Sequence, residues 1–162
     1  MDFDDFYLEL LPYWQEGHCC SQLLMDLALD LCKEKGRGYY IKAASDMLAS
    51  LRGLCIGLGG AGCECGLLSG GAVVLAWLSK NNEESYLPDA MVNEYAAWFK
   101  ERTAGCGCRC DEITSFLARQ HGGGKAAEGR DMTACAPLLR DCWQKIIQLC
   151  ESYGIDLEEE ED

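Results

Sequence analysis

The stretch from Gly57 to Gly71, reading GLGGAGCECGLLSGG, constrains this chain more than any other. Seven of its fifteen residues are glycine, two are cysteine, and an apolar run to Leu78 follows at once. Such a glycine density frees the backbone to fold tightly around something. It also delivers Cys65 to the first turn of the helix expected next, where unpaired N–H groups and the positive dipole end favour a thiolate. The thiolate is the form of cysteine that binds metals and attacks disulfides. Cysteine chemistry is therefore the first expectation.

The rest of the chain supplies the means. Twelve cysteines in 162 residues are several times an ordinary domain's share. The opening MDFDDFYLELLPYW has neither a basic start nor a long apolar run, and Leu67 to Leu78 is too short to span a bilayer. A cytoplasmic location is expected, and there abundant cysteines are read as metal ligands or redox thiols. A disulfide-stapled secreted domain is the competing reading of the even count. With 14 basic against 27 acidic residues, net −13, the chain is unsuited to nucleic acid or an anionic membrane.

Apolar periodicity is helical almost throughout, and no period-two strand stands out. Helices are expected over Phe3–Trp14, from Cys20 to just before Gly36, Tyr40–Leu54, Gly66–Ser79, from Pro88 through Phe99, Asp111–Gln120 and Ala134–Tyr153. Cys20, Leu23, Leu24, Leu27 and Leu31 form one stripe, whereas Gly66–Ser79 is apolar all round and should be central. Asn81–Ser85 and His121–Arg130 read as loops. The run HGGGKAAEG lacks the order of a phosphate loop. The expected fold is an all-α, single-domain bundle of about six to seven helices around a central apolar helix that follows a Gly-rich loop. It would occupy 1–157, with 158–162 as an acidic tail.

Four cysteines share one placement. Cys20, Cys65, Cys110 and Cys135 each fall at or near the start of an expected helix, beside its apolar face. Helix N-termini stabilise thiolates, so their convergence would make a site for a cation or cluster. Separations of 45, 45 and 25 residues are too wide for the paired close ligands of a zinc finger, so tertiary structure would have to assemble the site. Alone, each is equally a buried core cysteine.

The phrases around these residues resemble the redox-active protein family named for its C…GCAxxG…C…C motif. CCSQLL at Cys19 to Leu24 matches the first cysteine at Cys20, and GAGCECGLLSGG matches the second at Cys65. CRCDEI, ending at Ile113, matches the third at Cys110, and Cys135 opening the last helix matches the fourth. The resemblance runs from about Cys20 to Cys150. Where the family name has CAxxG, this chain has CGLLSG. The resemblance implies a small helical protein whose Cys20, Cys65, Cys110 and Cys135 hold an iron–sulfur cluster. The similar module of split-Soret cytochromes points to a [2Fe–2S] centre, with [4Fe–4S] as the alternative. Four thiolates suit either.

The remaining cysteines fall into two groups. Cys63, Cys106, Cys108, Cys19 and Cys142 are candidate extra ligands or resolving thiols. Cys63/Cys65 and Cys108/Cys110 could each cycle as a dithiol, and Cys19 is expected nearer solvent than Cys20. Cys32, Cys55, Cys142 and Cys150 sit in apolar patterns and are read as core, Cys142 being the exception to watch because it lies two turns from Cys135 on the same face. His18 could replace a thiolate, although an exposed histidine near the helix cap is the plainer reading. No Ser/His/Asp set supports hydrolysis.

Taken together these features point to an iron–sulfur protein for electron transfer or redox sensing, with a Gly57–Gly62 loop whose amides approach the cluster sulfurs. A metal-free thiol oxidoreductase and a structural zinc domain are the alternatives. The acidic surface would suit a redox partner with a basic docking face, and a homodimer is compatible with the apolar helix content.

Overall fold

The computed structural model describes residues 2–36, 44–80, 86–120 and 132–155. The expected loops at 81–85 and 121–130 and the acidic tail lie outside them, as does the start of the third expected helix. The described residues form seven α-helices: α1 (Phe3–Gln15), α2 (Cys20–Glu34), α3 (Ala44–Leu51), α4 (Gly66–Leu78), α5 (Leu87–Arg102), α6 (Cys110–Gln120) and α7 (Ala136–Ser152). Short 3₁₀ turns at Arg52–Leu54 and Met132–Cys135 lead into the turn after α3 and into α7. Among the described residues the only extended pairing is one antiparallel bridge, Glu64 with Arg109. The all-α, single-domain reading holds. No helix of the described residues is long and apolar enough to cross a membrane.

The centre is wider than the sequence pattern implies. α4 is buried along most of its length, but so is α2, where Ser21, Gln22, Met25, Asp26, Ala28 and Leu29 join the expected stripe. The reason is position, since α2 packs against α1, α3, α4 and α7 at once. Its polar residues are satisfied locally. Gln22 accepts the Cys19 N–H through Oε1 (3.2 Å) and donates from Nε2 to the Leu48 carbonyl (2.9 Å), while the Ser21 hydroxyl donates to Leu51 (3.0 Å). These bonds cap the helix and tie it to α3.

Glycine sets how closely the two central helices meet. A Cβ on Gly70 would lie 2.8 Å from the Ser21 backbone, and one on Gly66 would lie 2.6 Å from the Cys20 sulfur. On the adjoining face, a Cβ on Gly71 would fall 2.4 Å from the Tyr95 hydroxyl of α5. The start of α2 therefore touches the start of α4 because α4 lacks side chains there. Tyr95 then donates to the Leu67 carbonyl (2.8 Å), tying α5 to the first turn of α4.

Candidate functional site

The glycine loop builds its turn from left-handed backbone. Ile56, Gly57, Leu58, Gly59, Gly60 and Gly62 all have positive φ, between 53° and 93°. For the β-branched Ile56 that conformation is costly, on the order of 1–3 kcal/mol, and persists only where its surroundings fix it. Two things fix it. Cys55 is disulfide-bonded to Cys19 at the cap of α2, with Cα atoms 5.7 Å apart. The Ile56 N–H is aimed at the Cys20 sulfur, which it stabilises as thiolate.

This arrangement corrects three expectations. Cys19 is buried at 6% exposure and bonded to Cys55, so it is no solvent-facing resolving thiol or spare ligand. Cys55 is a disulfide partner rather than a plain core residue. The amides of Gly60, Ala61, Gly62 and Cys63 donate to carbonyls within the loop, at 3.1–3.3 Å, so they are not turned toward the thiols. The amides that do reach sulfur are Ile56 and Ser21 at Cys20, and Leu67 and Leu68 at Cys65. Sequence could not single out Ile56, since a left-handed isoleucine has no local signature.

The structure brings the helix starts together at one end of the bundle. Cys20 lies against the start of α4, and its thiol feels the charges of Cys135 and Cys110. Cys65 in turn feels Cys20 and Cys142. Burial is the largest influence on each buried thiol: it pushes Cys20 up to about 12 and Cys65 well above the ordinary thiol range. It also raises half-buried Cys110. The neighbouring sulfurs push Cys20 and Cys65 further in the same direction. The helix-start N–H groups lower both, but desolvation wins, so these thiols stay protonated instead of being the ready thiolates the helix dipole alone would give. Among the described residues, no three His, Cys, Asp or Glu side chains are close enough to surround a metal ion as they stand.

The extra cysteines divide by depth. Cys142, 0% exposed, lies behind Cys65 against the Tyr95 hydroxyl, and burial pushes it up to about 12. Cys106 and Cys108 pack partly against the core, and Cys63 is half-buried at the rim. Cys32 and Cys150 are core, as expected. His18 is not the exposed histidine of the plainer reading. Its Nδ1 lies 2.6 Å from the buried Asp26 carboxylate and its ring stacks on Tyr13, so it is engaged away from the sulfurs.

The fold also brings the two C-x-C segments side by side. Cys65 N–H donates to the Cys108 carbonyl (2.7 Å), and Cys110 N–H donates to the Cys63 carbonyl (2.5 Å). Gly57 completes the corner, since a Cβ there would lie 2.5 Å from the Cys63 nitrogen and 2.9 Å from the Cys110 Cβ. A protein with this geometry can hold a thiophilic group or exchange thiols for disulfides. Comparison with known proteins gives one match. The family model described as "Putative redox-active protein (C_GCAxxG_C_C)" covers residues 18–149. No curated protein and no solved structure matches the chain. The chain belongs to this redox-active, cysteine-rich family.

Proposed function

We propose that this family member is an iron–sulfur protein of electron transfer or redox sensing, with Cys20, Cys65, Cys110 and Cys135 as the cluster's thiolate ligands. The observation that carries the reading is the meeting of helix starts at one end of the bundle. Cys20 senses Cys110 and Cys135 there, Cys65 senses Cys20, and peptide N–H groups point at the two buried sulfurs. The donor set fits the group, because four thiols with N–H donors to sulfur are what such clusters use. When bound, the cluster would supply reversible one-electron chemistry.

The chain's own contributions follow from its residues. The four thiols must each give up a proton on loading, and the sulfurs must draw closer than they stand. Hydrogen bonds from Ile56 and Ser21 to Cys20, and from Leu67 and Leu68 to Cys65, then favour the thiolate form and raise the reduction potential of whatever these sulfurs hold. Gly66 keeps the space beside the Cys20 sulfur free of a side chain. With net charge −13, the surface would steer a redox partner carrying a basic docking face.

The test is purification and reconstitution with iron and sulfide in the absence of oxygen. Expected are a coloured protein with iron and acid-labile sulfide in equal amount, and loss of both in Cys65→Ala. Full iron and colour in Cys65→Ala would overturn the assignment. The Cys19–Cys55 disulfide favours a second reading, a metal-free thiol oxidoreductase. Iron near zero, with oxidant-dependent loss of free thiols, would select it. One colourless metal retained through reduction and oxidation would select structural zinc.

A further inference from the structure

Tyr95 is the largest fully buried side chain among the described residues, and its hydroxyl donates to the Leu67 carbonyl at 2.8 Å. That carbonyl lies in the first turn of α4, where the helix already supplies it with the N–H of Gly71, four places on. The hydroxyl is therefore a second donor to one oxygen, which has lone pairs for two. Gly71 is what admits it: a Cβ there would overlap the Tyr95 hydroxyl and the ring carbons next to it. The ring itself is held by stacking on Trp98, with centroids 5.7 Å apart, and by a tilted contact with Phe99 at 6.4 Å. Burial holds the phenol well above its usual range, and Cys142 and Cys65 push the same way, so the proton stays on the hydroxyl. That single proton goes to Leu67. The Cys142 thiol beside the hydroxyl is left to donate to its oxygen.

The Leu67 carbonyl and the Leu68 N–H belong to one peptide group. That N–H is shared between the Cys65 carbonyl, at 3.0 Å, and the Cys65 sulfur. Electron density drawn toward Tyr95 at one end of the peptide leaves the N–H at the other end a stronger donor, and linked bonds strengthen one another by about 10–30%. We propose that Tyr95 is a positioning residue for the Cys65 sulfur: through the Leu67–Leu68 peptide it orients and polarises an N–H aimed at that sulfur, and Gly71 provides the room. The hydrogen-bond chain runs from Cys142 through Tyr95 and the peptide to Cys65, and it needs no metal. Its consequence for the cluster rests on the reading above: a stronger N–H at Cys65 raises the reduction potential of whatever that sulfur holds.

The test uses the full chain with Tyr95→Phe, which keeps the ring against Trp98 and removes only the hydroxyl. In metal-free protein, the amide nitrogen resonance of Leu68 is expected to move upfield, while those of Val74 and Leu75, further along α4, stay in place. Cys142→Ala, which leaves the hydroxyl on Leu67, should move Leu68 less. A Leu68 resonance that stays put overturns the proposal, and so does an equal shift in Cys142→Ala, which would trace the effect to packing. In protein reconstituted with iron and sulfide, Tyr95→Phe should keep its iron and show a more negative reduction potential than the wild type. An unchanged or more positive potential overturns the proposal. If no variant and no wild type binds iron, the cluster reading fails, and the amide resonances of the metal-free protein still decide the role of Tyr95. Should Tyr95→Phe not fold, the wild type decides: its buried hydroxyl proton is expected to exchange slowly enough to give a resonance in water, and a hydroxyl in fast exchange overturns the proposal.

Discussion

Two populations of one residue type lie within this bundle. Cys32, Cys142 and Cys150 lie inside helices, 0–1% exposed, and fill space as small apolar side chains. Cys20, Cys65, Cys110 and Cys135 lie where helices begin or are about to, the first three shortly after a left-handed glycine, with peptide N–H groups aimed at the sulfurs of Cys20 and Cys65. Both populations are partly or wholly buried, and burial raises the thiol of Cys142 as it does those of Cys20 and Cys65. What separates them is backbone. A mid-helix cysteine has its neighbouring N–H groups spent on the helix, whereas a helix start has them to spare.

The strongest expected effect attacks the clasp that holds the second population in place. Removing the disulfide as Cys19→Ser with Cys55→Ser opens a link of sequence separation 36. Loop-closure entropy puts the loss at about 4 kcal/mol, or roughly 8–16 °C in Tm for a domain of this size. A shift of only a degree or two in thermal unfolding would mean that the clasp does not constrain the chain.

Next comes the close approach of α2 and α4. Gly70→Ala places a methyl 2.8 Å from Ser21 backbone that cannot yield without moving α2. A loss of about 1–3 kcal/mol in denaturant unfolding is expected. Gly53, which a Cβ would leave in open space, is the control: Gly53→Ala should stay within about 0.5 kcal/mol. Equal effects at the two positions would contradict the packing.

Cys142→Ala sharpens the contrast between the populations directly. It removes one buried sulfur, costing about 1–2 kcal/mol of stability, while leaving iron content unchanged. Cys65→Ala should instead abolish iron binding.

The last effect is absent at neutral pH and appears only in alkali. In metal-free protein, Cys20 and Cys142 ionise near about 12, whereas cysteines of the unfolded chain ionise near about 8.5. Between those values the unfolded chain has lost protons that the fold retains, so stability falls as pH rises from about 9 toward 12 and is unaffected by these groups below that. Urea midpoints measured across this range should decline, and Cys142→Ala should decline less. A flat profile would show that burial does not hold the thiols neutral.

Much of this was legible in the sequence, and for specific reasons. Helical periodicity gave the helices of the described residues, because amphipathic spacing is local. The placement of Cys20, Cys65, Cys110 and Cys135 at helix starts was also legible, since Gly-rich turns precede or flank them. The near-total burial of α2 was not, because it depends on four elements packing around one helix. Nor was the Cys19–Cys55 bond, as the two residues meet only where α3 and the turn after it pack on the start of α2, held by Ser21 to Leu51 and Gln22 to Leu48. The His18–Asp26 pair, in which only the aspartate is buried, escaped for a similar reason. An aspartate beside an apolar stripe gives no sign of its partner eight residues earlier.

The central claim is that the four helix-start cysteines act as one donor set, and a matched series of alanine variants tests it most directly. Iron and acid-labile sulfide are measured after anaerobic reconstitution of the wild type, of Cys20→Ala, Cys65→Ala, Cys110→Ala and Cys135→Ala, and of Cys32→Ala and Cys142→Ala as mid-helix controls. The account predicts that each of the four loses most of its iron and sulfide while both controls keep theirs. Wild-type loading in any two of the four, or equal loss in the controls, would contradict it.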